Sequence, residues 1–319
     1  MRELSVSNMQ SSLCVCEVSI IVPTMNEARN LPILLSQIRQ AMLGTTYEVI
    51  VVDDASTDDT PDICAALSRK HPLRLFVRHR AKDGLSGAVL HGMTLARGRN
   101  LVVLDADLQH PPSKIPELVA KLDSCEADFV VGSRYVDGAG TDESWSLFRK
   151  LNSSIATLLA KPICRGIKDP MSGFFALRRD TFQLAYPPNP VGYKIALELL
   201  CKCHIRKVVE VPIHFGTRNA GESKLSFKQQ RRYLIHLTRL YGFLYPMSSM
   251  IIKESLAAAA GYGFGQATNP VMSMTLCLLT ALTMGVVTRP KSAVANFREM
   301  MEADCVVKFN ELPLAKKAA

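Results

Sequence analysis

The chain has no apolar run of signal-peptide length near its start, no internal repeat, no low-complexity tract and no dense cysteine framework. Each absence removes a class of protein. Residues 1–17 carry Arg2 and Glu3 among polar side chains and read as a short flexible leader, not as a targeting signal. The nine cysteines are scattered and odd in number, which argues against a fully oxidised secreted scaffold. Cys14 with Cys16, and Cys201 and Cys203 with His204, form a weak zinc pattern and are read as reduced, partly buried thiols. Hydrophobic residues make up 48% and charged residues 21%, enough apolar surface for a core and too little charge density for wholesale disorder. The net charge of +9 favours anionic partners such as nucleotides, phosphates or anionic lipid. Nucleic acid is also anionic, but no nucleic-acid-binding motif is present.

Apolar runs at 18–23, 47–53, 73–78, 101–105 and 129–133 read as strands. They alternate with amphipathic stretches at 28–42, 85–96 and 113–122, and with a helix opened by Ser56, Thr57, Asp58 and Asp59, whose side-chain oxygens suit helix capping. This βαβα order predicts a mostly parallel sheet with helices on both faces, an α/β fold. Ligands of such sheets gather at the carboxyl ends of the strands. There the sequence places Pro23-Thr24-Met25-Asn26-Glu27, Asp53-Asp54, Asp105-Ala106-Asp107 and Ser133-Arg134-Tyr135. Four successive polar strand ends are poorly explained as solvated loop charge.

Further along, 147–159 and 226–245 show helical periodicity. On the second, Phe227, Leu234, Leu237, Tyr241 and Leu244 are expected on one side, and Lys228, Arg231, Arg232, His236 and Arg239 mostly on the other. Such a helix fits a membrane interface or an ordinary protein surface. Residues 255–288 contain no charged or histidine side chain. Asn269-Pro270 is expected to break that run, leaving 271–287 at the short limit for crossing hydrocarbon. The chain is thus divided into a leader (1–17), an α/β domain (18–245), an apolar candidate membrane segment (246–288) and a polar tail (289–319).

The chemistry centres on Asp105 and Asp107. Two carboxylates at i and i+2 on a strand end can meet one hard cation where the chain turns, and Mg²⁺ or Mn²⁺ suits them, with Ca²⁺ as a further hard ion. Gln109 can add a neutral oxygen. Asp54 is better placed to accept hydrogen bonds from a nucleobase or ribose, with Glu27 in a similar role; Asp53 suits a helix cap as well as a ligand. Arg134, Arg218 and Lys224 supply cations for phosphate oxygens.

These motifs, with Val51-Val52-Asp53-Asp54-Ala55-Ser56, Asp105-Ala106-Asp107-Leu108-Gln109-His110-Pro111-Pro112, Gly132-Ser133-Arg134-Tyr135, Asp169-Pro170-Met171-Ser172-Gly173-Phe174 and Gly221-Glu222-Ser223-Lys224, resemble glycosyltransferase family 2. Within it they are similar to the dolichyl-phosphate (polyprenyl-phosphate) mannosyltransferases, over roughly three-quarters of the chain. The resemblance implies a GT-A fold, a GDP-mannose donor and inverting transfer to dolichyl phosphate at a cytosol-facing membrane. That membrane would be the endoplasmic reticulum, or the cytoplasmic membrane in a prokaryote, with small membrane helper subunits as candidate partners. It implies that Pro23, Met25, Glu27, Val52 and Asp54 line the nucleotide. Asp105, Ala106, Asp107 and Gln109 would hold metal and donor, and Arg134, Arg218 and Lys224 would contact phosphates, Arg134 orienting the lipid phosphate. Met25 stands where the family commonly has an aromatic residue, and Ala55 where glycine is usual.

Two other enzymatic or binding readings share these residues: a polyprenyl-phosphate glucosyltransferase using UDP-glucose, and a non-catalytic sugar-nucleotide-binding subunit. A phospho-receiver domain also gathers aspartates around Mg²⁺, but its acidic pair and its length differ.

Overall fold

The structure is a computed structural model that describes residues 16–79, 83–141, 156–164, 166–216 and 227–246. The strands are β1 (Cys16–Thr24), β2 (Tyr47–Asp53), β3 (Leu73–Val77), β4 (Gly98–Val103), β5 (Phe129–Ser133), β6 (Gly140–Thr141), β7 (Phe175–Arg178), β8 (Val208–Pro212) and β9 (His214–Phe215). The helices are α1 (Leu31–Ala41), α2 (Thr60–Leu67), α3 (Gly84–Leu95), α4 (Ile115–Asp123), α5 (Arg179–Gln183), α6 (Ile195–Lys202) and α7 (Phe227–Leu244).

Seven strands form one sheet in the order β3-β2-β1-β4-β7-β5-β8. All neighbours are parallel except β7, which runs antiparallel to both β4 and β5. A short parallel pair, β6 with β9, stands beside it. The fold is therefore the expected α/β architecture, with one antiparallel strand that hydrophobic periodicity could not announce. Phe175, Ala176 and Leu177 are completely buried on both faces, so β7 has no alternation to read.

Alternation sorts the strand side chains into two cores. Val18, Ile20 and Val22 of β1 pack with Leu31, Leu34 and Leu35 of α1 on one face; Ile21 packs with Ala88, Val89 and Met93 of α3 on the other. β1 begins at Cys16, inside the stretch read as leader, because Cys16 pairs with Gly98 and the Glu17 N–H reaches the Thr46 carbonyl at 3.0 Å.

The phase of α7 differs from expectation. Tyr233, His236, Leu237 and Leu240 are its buried face, while Leu234 and Ile235 are exposed. His236, expected among the solvated cations, is fully buried; Leu234, expected inward, is 52% exposed. Spacing of 3, 1 and 3 residues along Tyr233, His236, Leu237 and Leu240 is the true core stripe. The packing that selects it is a carboxylate, Glu198, waiting under position 236.

Of the helix expected at 147–159, residues 156–160 are described and helical. Residues 142–155, the apolar run at 255–288 and the tail at 289–319 lie outside the described residues. Among the described residues no helix is long and apolar enough to cross a membrane.

Candidate active site

The loops after β1 and β2 are laced to each other. Asp53 is fully buried; its Oδ1 accepts the Thr24 hydroxyl at 3.0 Å and the Ser56 hydroxyl, and its Oδ2 accepts the Ser56 N–H at 2.9 Å. Of its two expected roles, Asp53 takes the structural one. Ser56 Oγ accepts the Asn26 N–H, Asn26 Oδ1 accepts the Thr57 N–H, and Asp58 accepts N–H groups from Ala28 and Thr60. Ser56 and Asp58 thus bind two loops together as well as opening a helix. Asn26, Ala55 and Leu108 adopt left-handed backbone, with φ of 61°, 51° and 65°. They sit at the carboxyl ends of β1, β2 and β4, where non-glycine residues in that region mark strain held by their surroundings. Ala55 tolerates the conformation that glycine would take.

Pro23 and Val52 are register partners in the sheet and both are buried. Val52 is wholly enclosed in the core, so its main chain is what it can present to a ligand. Met25 is exposed beside them. Glu27 is partly buried and accepts the Asn30 amide at 2.7 Å. Asp54 is 8% exposed, and Arg78 Nε donates to its Oδ1 at 2.6 Å while the Arg78 Nη2 holds the Gly84 carbonyl. Arg78 was not singled out in the sequence, because a cation closing a strand carries no distinctive spacing.

At the end of β4 the chain enters the Asp105–Gln109 turn. Asp105 keeps about a third of its side chain exposed. It lines a cavity of about 70 Å³ with Leu85, Val89, Gly173, Tyr193 and Lys194. A Cβ at Gly173 would lie 2.7 Å from Asp105 Oδ2, so glycine is what lets the carboxylate occupy this place. Gly173→Ala is expected to cut activity about 10-fold or more by displacing the carboxylate, with little loss of melting temperature; kinetics and a thermal melt of the same sample check it.

Asp107 is 8% exposed and its Oδ1 accepts the Gln109 N–H at 3.2 Å. Ala106 is buried in the core. Gln109 is buried too, donating Nε2 to the Gly216 carbonyl at 3.1 Å while its own carbonyl accepts the Gly216 N–H. It thereby ties the carboxylate turn to the end of β9. His110 is enclosed between Phe174 and Phe215, with ring centroids at 5.6 and 5.3 Å, and its Nδ1 accepts the Asp105 N–H at 3.3 Å. Burial pushes the imidazole down to about 4, so it is neutral, with its proton on Nε2.

That shift has a stability consequence. Between the ordinary value near 6.5 and about 4, the unfolded chain binds the proton that folded His110 refuses. Stability therefore falls as pH drops through that window, by roughly 3 kcal/mol over its width. His110→Phe is expected to flatten this part of the pH–stability curve, measured by denaturant unfolding from pH 7 to pH 4.

Arg134 follows β5. Its Nε and Nη2 grip the two oxygens of Asp169 at 2.8 Å each, and its backbone N–H adds a third bond at 3.0 Å. The guanidinium lies 5.3 Å from the Tyr135 ring centroid and 5.1 Å from that of Phe215. Asp169 is completely buried and its turn is held by Glu210 of β8, which accepts the N–H groups of Lys168 and Asp169. Lys194, partly buried, donates to the Met171 carbonyl at 3.0 Å. Burial and the Arg134 charge hold its amine down to about 8, against the pull of Asp169 and Asp105.

The structure therefore gathers Asp105, Asp107, Arg134, Asp169 and Lys194 around His110, each acting electrostatically on others of the set. Lys194 and Asp169 were missed as site residues. Asp169 opens the Asp169–Phe174 motif, whose spacing alone gives it no role, and Lys194 is brought to the cavity by the tertiary fold. Arg218 and Lys224 lie outside the described residues. Two adjacent strand-end carboxylates offer the hard oxygens that Mg²⁺ or Mn²⁺ favours. The thiols of Cys201 and Cys203 are buried in the core, and burial pushes Cys203 up to about 12.

A mostly parallel sheet with an acidic turn at one strand end, a second acidic strand end beside it and two cations near the first is the layout in which α/β sheets hold anionic ligands at the carboxyl ends of their strands. The Glycosyl transferase family 2 signature matches residues 19–184. A dolichol-phosphate mannosyltransferase of Pyrococcus furiosus is 47% identical over 70% of this chain; the match spans 63% of that relative's own length. One from Mycosarcoma maydis is 39% identical over 76% of this chain and 85% of its own. In fold, the chain is similar to glucosyl-3-phosphoglycerate synthase from Mycobacterium tuberculosis in complex with Mn²⁺, UDP and glucosyl-3-phosphoglycerate. The TM-score is 0.53, at 19% identity, over 76% of this chain and 85% of that one. The chain belongs to glycosyltransferase family 2, and it is a glycosyltransferase.

Proposed function

We propose that the enzyme transfers a mannosyl unit from GDP-mannose to dolichyl or another polyprenyl phosphate, giving a β-linked lipid phosphate sugar. One observation carries the reading: the Asp105 carboxylate shares a cavity with Lys194 and an electrostatic neighbourhood with Arg134, in a chain 39–47% identical to dolichol-phosphate mannosyltransferases.

The acceptor is a phosphate monoester, anionic near neutral pH, so it needs no strong general base. Its difficulty is repulsion from an anionic donor. Arg134, fixed by Asp169, and Lys194 lower that repulsion without moving. A phosphate oxygen of the lipid attacks the anomeric carbon as the bond to the β-phosphate of GDP breaks, and GDP leaves with the electron pair. Asp105 and Asp107, with Gln109 beside them, would hold a divalent cation, Mg²⁺ or Mn²⁺ with Ca²⁺ as an alternative, that neutralises charge on the departing diphosphate. The main chain at Pro23 and Val52, with Met25, Glu27 and Asp54, would line the nucleotide; Arg218 and Lys224 would add phosphate contacts.

The same reading places the catalytic domain at 18–245 on a cytosol-facing membrane surface, of the endoplasmic reticulum or of a prokaryotic cell. Exposed Leu234 and Ile235 stand on the solvent face of α7 with exposed Arg231 and Arg239, a pairing of apolar and cationic groups suited to a lipid interface. The apolar segment 246–288 would anchor the chain, with helper membrane subunits as further partners and no role assigned to the tail at 289–319. Purified protein incubated with radiolabelled GDP-mannose or UDP-glucose, dolichyl phosphate and Mg²⁺ or Mn²⁺ tests it. Label in the organic phase from GDP-mannose is expected; transfer from UDP-glucose alone, or to no lipid, overturns it.

A further inference from the structure

Two buried side chains and a partly buried lysine outside the reacting groups form a connected set. Glu198 of α6 is 1% exposed. It accepts His236 Nε2 of α7 at 2.8 Å, Lys202 Nζ at 2.8 Å and the Asn189 N–H at 2.6 Å. A carboxylate taken out of water is costly unless donors satisfy it. Here they do more: despite burial, the His236 hydrogen bond and the Lys202 charge hold the Glu198 carboxyl below the ordinary range. A carboxylate accepts and does not donate, so Nε2 of His236 carries a proton. Among the described residues, the buried Nδ1 has no hydrogen-bond partner. Lys202 supplies a countercharge to the Glu198 carboxylate.

The position of this set gives it a use. Glu198 lies one helical turn beyond Lys194, which precedes the first residue of α6 and lines the cavity with Asp105. The connecting segment 189–194 is pinned at several points. Asn189 binds Glu198, the Gly192 carbonyl accepts the Ser86 N–H at 3.3 Å, and Lys194 binds the Met171 carbonyl. α7 covers the same segment: Arg239 Nη1 reaches Asn189 Oδ1 at 3.5 Å, and the Arg232 Cβ lies 3.6 Å from where a Gly192 Cβ would stand. His236 is therefore the fully buried polar contact between α7 and the element that presents Lys194.

We propose that His236 and Glu198 are positioning residues: through them the seating of α7 sets Lys194 against Asp105, so that turnover depends on this helix being docked. The inference rests on the transferase reading above and adds a residue pair and a coupling to it. Neither side chain touches the reacting atoms. The loops after β1 and β2 are organised by their own hydrogen bonds, so nucleotide affinity is independent of the pair.

The test uses the full chain in detergent–lipid micelles. For wild type, His236→Ala, His236→Gln and Tyr233→Phe, kcat and KM for GDP-mannose, GDP affinity by calorimetry and melting temperature are measured. His236→Ala is expected to lower kcat about 10-fold or more through displaced geometry while GDP affinity stays within about threefold. His236→Gln keeps an N–H donor and is expected to restore most of kcat. Tyr233→Phe removes the 2.6 Å bond to the Ala156 carbonyl from the same helix and is expected to lower the melting temperature with kcat intact. Wild-type kcat in His236→Ala overturns the inference, as does a kcat that follows melting temperature equally in all three variants. Should His236→Ala fail to fold, His236→Gln is compared with the shorter His236→Asn; equal kcat in those two overturns it. A wild type that transfers no mannose defeats the transferase reading instead, before any variant is compared.

Discussion

Asp105→Asn and Asp107→Asn are each expected to lower mannosyl transfer by about 10²–10³-fold, the scale of losing one preorganised charge contact in a transition state. The substitutions keep size and shape. Asp105 is only partly buried, and the bond its residue makes to His110 comes from the backbone N–H. At Asp107 an amide oxygen can still accept the Gln109 N–H. Melting temperature should therefore move by no more than a few degrees, about what 1 kcal/mol produces in a domain of this size. The loss would come from charge: with one carboxylate neutral, a divalent ion is held less tightly beside the diphosphate. Raising Mn²⁺ should recover part of the activity, more for the variant that keeps the stronger remaining ligand. A metal titration of initial rates decides the matter. Full activity of Asp107→Asn at limiting metal would remove that residue from the metal site.

The second large effect is expected at Asp169. Removing it by Asp169→Ala leaves the Arg134 guanidinium without the bidentate partner that holds it, in a place where Asp169 is fully buried and Arg134 only 12% exposed. Breaking a buried ion pair from one side costs about 3–5 kcal/mol, and transfer activity should fall together with stability. The double variant Arg134→Met, Asp169→Leu separates the two consequences. A well-packed apolar pair commonly restores the stability lost to a lone buried charge, so denaturant unfolding should recover most of the way. Activity should not recover, because the cation proposed to face the donor and acceptor phosphates is gone. Recovery of activity in the double variant would show that Arg134 is structural, and the positive field would then rest on Lys194 and residues beyond the described region.

The α/β class, the strands at 47–53 and 129–133, and the clustering of polar residues at the carboxyl ends were legible in the chain, because period-2 and period-3.6 patterns and turn chemistry are local. The carboxylates proposed to hold the metal stand out in the chain for the same reason: Asp105 and Asp107 are two residues apart and follow an apolar strand. Boundaries shifted by a few residues where tertiary pairing extended a strand, as Cys16 against Gly98 extends β1. The phase of α7 was misjudged because a histidine was read as a solvated cation. Hydrogen-bonded to a buried carboxylate, it packs as a core residue.

What the sequence determined by itself is therefore the family, the layered architecture and the acidic motif at the end of β4, since each is written in neighbouring residues. What the tertiary structure alone decided is which charged and buried polar groups meet. Arg134 finds Asp169 35 residues away, Arg78 finds Asp54 24 away, and His236 finds Glu198 38 away. The physical reason is that a charge is tolerated in a low-dielectric interior only beside its partner. Which partner that is depends on how the chain folds back on itself, and no local pattern contains that distance.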